Sequence, residues 1–159
     1  MDWKLPVIKR LVLVGVISLI GLLQADCDSA VRLSCERARL AWGQVLSLNL
    51  ARSHQVESLV ESMRERLPAE RELLDEVAAA RDGVHAAMAD GGSIADGQRF
   101  RACERAELRL SAASARLYEM IKRYPRVTTD SRLMGQLRAL QQLEDRIVVA
   151  RSDFNSAVR

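Results

Sequence analysis

The stretch LEDRIVVARSDFN, residues 143–155, decides how this chain folds. Leu143, Ile147, Ala150 and Phe154 recur at steps of three and four, the spacing of a helix that buries one face. The stripe extends to Leu133, Leu140 and Ala157, close to a 3.5-residue period, which predicts shallow, coiled-coil-like packing. Charges interrupt it. Glu144 and Arg151 each follow a stripe residue by one place, and Arg146 lies on the same helix. Glu144 and Arg151 fall on one side of the seam, separated by about 10 Å of rise, too far for a direct pair. Each therefore needs a partner on a neighbouring helix: Arg81 or Arg116 for Glu144, Glu36 or Glu107 for Arg151. The expectation is of interhelical ion pairs that fix helix register, with stems buried and heads wet.

Three more stripes precede this one. Ala38, Trp42, Val45, Asn49, Val56, Leu59 and Met63 share one face, with no breaker before Pro68. Pro68 suits a first helical turn and opens a second stripe of Leu73, Val77, Ala80, Val84 and Ala87. ADGGSIADGQ, residues 89–98, reads as a loop. Phe100, Cys103, Leu110, Leu117, Ile121 and Tyr124 form the third stripe, closed by Pro125, and TTDS at 128–131 offers N-caps for the fourth. Four amphipathic helices with short connections predict an all-α protein, an antiparallel four-helix bundle over residues 26–159. Trp42 is expected to be core packing.

Composition agrees with that class. Hydrophobic residues make up 48% of the chain and aromatics 4%, and three Pro and eight Gly leave long uninterrupted runs. The net charge of +3 comes from 24 basic and 21 acidic residues, with Lys4, Lys9 and Arg10 near the N-terminus. The rest is close to neutral, so no basic field points to nucleic acid. There is no CxxC and no Glu-x-x-His, and Gly91-Gly92 is not followed by Lys-Ser/Thr, so metal, cofactor and phosphate signatures are lacking. His54 and His85 lie far apart in sequence, with no acidic spacing motif, and read as surface or packing residues.

The N-terminal residues 1–25 read as a membrane anchor. Residues 11–25 carry no charge and reach about 22 Å as a helix; Leu5–Ile8 extend the span if Lys9 and Arg10 snorkel. A cleaved signal peptide is the rival reading, but Leu23-Gln24-Ala25 makes a weak cleavage site. Lys4, Lys9 and Arg10 before the anchor, with Asp26 and Asp28 after it, place the bundle outside the cytoplasm. An oxidising compartment makes Cys35–Cys103 the conceivable disulfide; buried free thiols are the alternative.

LEDRIVVARSDFNSAV, residues 143–158, resembles the last bundle helix of the LemA family through Glu144, Arg146, Ile147, Ala150, Arg151, Asn155 and Val158. Phe154 stands where the family usually has Tyr. The resemblance extends upstream to the Ala41-Trp42 pair, to Leu59-Val60-Glu61 running on to Ala80-Arg81, and to the segment ending in Tyr124-Pro125. Departures are Glu57-Ser58 in place of Pro-Asn, Arg66 in place of an aromatic and Ala69 in place of His. Many members also continue past the fourth helix, so the chain is similar to a divergent or C-terminally short member. The resemblance implies a single-pass protein of the bacterial inner membrane bearing a four-helix bundle, without established enzymatic activity. Some relatives act in membrane organisation, including magnetosome membranes.

Two classes of function are thus expected to compete. The first is a membrane-anchored scaffold or interaction module whose partners are the membrane and other membrane or envelope proteins, with no catalytic residue, cofactor, nucleic acid or small-molecule substrate. The alternative is an enzyme, or a carboxylate metal-binding bundle, with an unrecognised site.

Overall fold

A computed structural model describes the backbone of residues 4–89 and 94–159, and the side chains of 31–89 and 94–159. Among these every regular element is helical. α1 spans Lys4–Arg64, α2 Arg71–Met88, α3 Gly97–Ile121, α4 Pro125–Thr128 and α5 Ser131–Ala157. α1 packs on α2 and α5, and α2 packs on α3. Cross-helix partners run in opposite senses along neighbours: Arg64 meets Asp75 and Arg81 meets Glu57 between α1 and α2, while Trp42 meets Phe154 and Arg52 meets Glu144 between α1 and α5. The four long helices therefore form an up-down-up-down bundle, as the four stripes predict.

The two prolines act as starters. Pro68 opens a 3-10 turn, Pro68–Glu70, that leads into α2, and Pro125 opens the single turn of α4. Each sits where its missing N–H has no helical partner to lose. The true caps are aspartates. Asp96 accepts from the backbone N–H of Gln98 and Arg99, and Asp130 from those of Arg132 and Leu133. These donors hold both carboxyls below the usual carboxylate range. Asp130 is the capping residue within the TTDS segment.

The core follows the stripes with small phase corrections. Val45, Val56, Leu59, Met63, Val77, Val84, Cys103, Leu110, Leu117 and Leu140 are all fully buried. On α2 the deepest leucine is Leu74, while Leu73 is only partly covered. Trp42, Phe100 and Phe154 close one end of the core. Their ring centroids lie 4.8 Å apart for Trp42–Phe100, 5.1 Å for Trp42–Phe154 and 5.8 Å for Phe100–Phe154, all tilted. Such offset contacts add to the area the rings bury. This layer brings α1, α3 and α5 together where α1 runs out of the bundle towards its N-terminus.

The Cys35–Cys103 bridge is not formed; both thiols are free. Cys35 is exposed and precedes Ala38, the first buried residue described on α1. Cys103 lies inside and donates its S–H to the carbonyl of Ala87 at 3.2 Å. α3 enters the bundle with Phe100 level with Trp42, so Cys103 lies deeper still, away from Cys35. Among the described residues no helix is long and apolar enough to cross a membrane. The expected anchor, residues 1–25, lies outside the residues whose side chains are described.

Truncating a core stripe residue should cost far more than truncating an exposed leucine. Leu110→Ala is expected to lose about 2–5 kcal/mol, and Leu40→Ala, on an exposed side chain, no more than about 0.5 kcal/mol. Urea unfolding of the two variants checks this ordering.

Candidate functional site

Midway along the bundle the apolar core gives way to a polar layer. Asn49, Arg52, Ser53, Glu107 and Ser114 are all buried. Helical spacing puts them there: Asn49, Arg52, Ser53 and Val56 follow one another at steps of one to four on the inner face of α1, and Glu107, Ser111 and Ser114 do so on α3.

Arg52 is the centre of the layer and is only 1% exposed. Its Nη1 donates to Ser111 Oγ on α3 at 2.9 Å and to Glu144 Oε2 on α5 at 3.0 Å. Its Nη2 donates to Asn49 Oδ1 at 2.6 Å, one turn back on α1. Asn49 is itself oriented, since its Nδ2 donates to the carbonyl of Val45 at 3.0 Å. One guanidinium thus joins three helices through a planar fork of fixed geometry.

A second clamp sits beside it. Arg151 on α5 donates through Nη1 to Glu107 and through Nη2 to Glu104 Oε1, the latter at 3.2 Å. Glu107 is 3% exposed. Burial pushes its carboxyl above the ordinary glutamate range, against the opposing pull of Arg151 and Arg52. The Tyr118 hydroxyl is pushed up to about 12, mainly by burial and then by the carboxylates of Glu144 and Asp145. Burial also raises the Cys103 thiol, with the charge of Glu107 adding to it.

Satisfaction within the layer is incomplete. Glu107 Oε1, Glu144 Oε1, Arg52 Nε and the hydroxyls of Ser53, Ser114 and Tyr118 are buried without a hydrogen-bond partner in the protein. Each such group costs about 1–3 kcal/mol. A layer of this kind is a poor source of net stability; its strength lies in penalising any shift that separates Arg52 from its partners.

The sequence-predicted residues separate into groups. Arg151 meets Glu107, one of its two candidates, whereas Glu36 pairs with Arg39 at the surface. Glu144 meets Arg52 instead of Arg81 or Arg116. Arg81 is taken by Glu57 and Asp82, and Arg116 by Glu76. Trp42, Leu59, Val60, Ile147 and Ala150 are core. Ala41 and Ala80 pack against it, and Tyr124 donates to Glu70 at one end. Glu61, Pro125, Arg146 and Asn155 are exposed and stand outside the layer. Arg52 escaped the sequence reading although its spacing marks it: it lies three residues after Asn49 and four before Val56, squarely on the stripe. His54 and His85, unconnected in sequence, meet across α1 and α2 with ring centroids 5.5 Å apart. Among the described residues no group of three or more His, Cys, Asp or Glu is assembled to hold a metal ion.

The fold and this layer together define an up-and-down helical bundle whose core is keyed by buried ion pairs. The chain belongs to the LemA family, whose model matches residues 41–159, more than half of its length. No curated protein matches it. The matched region begins at Ala41-Trp42 and takes in the whole polar layer.

Glu107 gives this layer a pH signature. Its folded-state pKa lies above its unfolded value, so ionisation disfavours the fold. Its contribution therefore falls as pH rises from about 4.5 through the raised pKa. Glu107→Gln removes that slope. The variant is expected to gain melting temperature relative to wild type as pH is raised from mildly acidic to neutral. A difference that stays constant with pH would show that Glu107 does not titrate with folding.

Proposed function

We propose that this protein is a membrane-anchored scaffold without catalytic activity, holding its bundle at a fixed distance from the bilayer for contact with other membrane or envelope proteins. The observation that carries this reading is the continuity of α1. The helix runs unbroken from Lys4 to Arg64, so the uncharged residues 11–25 and the inner stripe from Ala38 to Met63 belong to one element. A continuous helix transmits position. From residue 25 to Ala38 it rises about 20 Å, which sets the stand-off of the bundle. Between these points Val31, Leu33 and Cys35 are exposed.

The arrangement of charge supports a passive role. The arginines nearest the core are engaged with carboxylates of the same chain, and Glu107 is too deeply covered to meet an external substrate. The side chains left for partners are those of the outer faces, among them Leu108 on α3 and Val148 and Val149 on α5. The charge pattern around the anchor favours a bundle outside the cytoplasm.

Fractionation tests the reading directly. The full chain is expected to stay in the membrane pellet after an alkaline wash, and a chain lacking residues 1–25 to leave it. A reporter fused after Arg159 is expected to be active only when the reporter requires export. Recovery of the full chain in the soluble fraction, or a mature N-terminus just after Ala25, would overturn the anchor.

A further inference from the structure

We propose that His54 and His85 form a metal-binding pair on the surface seam between α1 and α2, selective for a divalent transition ion of the zinc, nickel or copper type. The two residues come from antiparallel neighbours, and their rings meet with centroids 5.5 Å apart at an interplanar angle of 67°. That separation is ordinary for an edge-to-face ring pair and is also one that a shared ion allows. A metal–nitrogen bond of about 2.0–2.1 Å, plus roughly 1.1–1.2 Å from nitrogen to ring centre, places each centroid about 3.2 Å from the ion. Two rings at a tetrahedral angle then lie about 5.2 Å apart, and at a wider angle slightly more. The terminal torsion of histidine is broad, so both rings can aim a nitrogen at a common point without moving the backbone.

The surroundings supply the orienting carboxylate that metal-bound histidines use. Glu57, one turn after His54, holds Arg81 through Oε1 at 3.0 Å. Its Oε2 stands 3.8 Å from His54 Nδ1. Glu57 is thus held by Arg81 on one side and lies near His54 Nδ1 on the other. Glu57 is a positioning residue here. His54 is 70% exposed, so an ion reaches the pair without crossing the core and completes its shell with water. Imidazole nitrogen selects zinc, nickel and copper over magnesium or calcium. Because the ligands sit on two helices, binding pins α1 to α2 and favours the folded state.

The test uses the full chain in detergent, without a polyhistidine tag, and zinc chloride as the probe. Thermal unfolding is followed at neutral pH with increasing zinc, with magnesium chloride as the control. Wild type is expected to bind one zinc per chain and to melt at a temperature that rises with zinc and not with magnesium. His54→Ala and His85→Ala should each weaken binding by about tenfold or more, and Glu57→Gln by less. No zinc-dependent rise in wild type, or a rise that persists in the double alanine variant, would overturn the proposal. His54 is exposed and His85 half-buried, and the melting temperatures of both alanine variants without metal report that they still fold.

Discussion

The buried guanidinium of Arg52 is the constraint around which the bundle is arranged. A charge that is 1% exposed depends on the fixed partners that meet its two terminal nitrogens. Those partners are Asn49 on its own helix, Ser111 on α3 and Glu144 on α5. An apolar seam of leucines and alanines lets one helix slide past another by a turn at modest cost, since leucine packs against leucine in either register. Arg52 removes that freedom. A one-turn slip of α5 carries Glu144 about 5.4 Å along the axis and leaves a charge buried without its counter-ion. The second clamp, Arg151 on Glu107 and Glu104, applies the same restriction between α5 and α3.

The two ends of the core behave differently from this middle. Towards the N-terminal end of the bundled part of α1, Trp42, Phe100 and Phe154 close the interior with three tilted rings. At the other end Met63, Leu74, Met120 and Leu133 fill it, and the chain turns through the proline-started segments. Apolar burial at both ends supplies the free energy that offsets the cost of the polar middle. α1 runs through both ends and the middle as one unbroken helix.

Much of this was legible in the sequence because helical periodicity is a local signal. The inner residues of α1, from Ala38 to Met63, and the α5 stripe around Ile147, Ala150 and Phe154 occupy the core as their spacing requires. Asp130 caps α5 for the same local reason. Pairing across helices was harder. Glu107 is one of the two partners the sequence offers Arg151, whereas Arg52, the partner of Glu144, is a charged residue on the inner stripe of α1, where a long cationic side chain ordinarily reads as surface. Leu74 rather than Leu73 takes the inner place because, three residues before Val77 on the same helix, it shares the face that Val84 and Met88 continue. The Cys35–Cys103 distance depends on where α3 begins relative to α1, and helix lengths alone did not set that level closely enough. The meeting of His54 and His85 is a product of tertiary register, for which separations along the chain carry no signal.

A double-mutant cycle on Arg52 and Glu144, measured by denaturant unfolding, tests the central claim most directly. Arg52→Met and Glu144→Gln are made singly and together. The account predicts that Arg52→Met alone loses about 3–5 kcal/mol, because it strands Glu144 and Asn49. It predicts that the double variant loses clearly less than the sum, with a coupling of about 1 kcal/mol or more. Additive losses, within about 0.5 kcal/mol, would contradict it and show that Arg52 does not key the helices through Glu144.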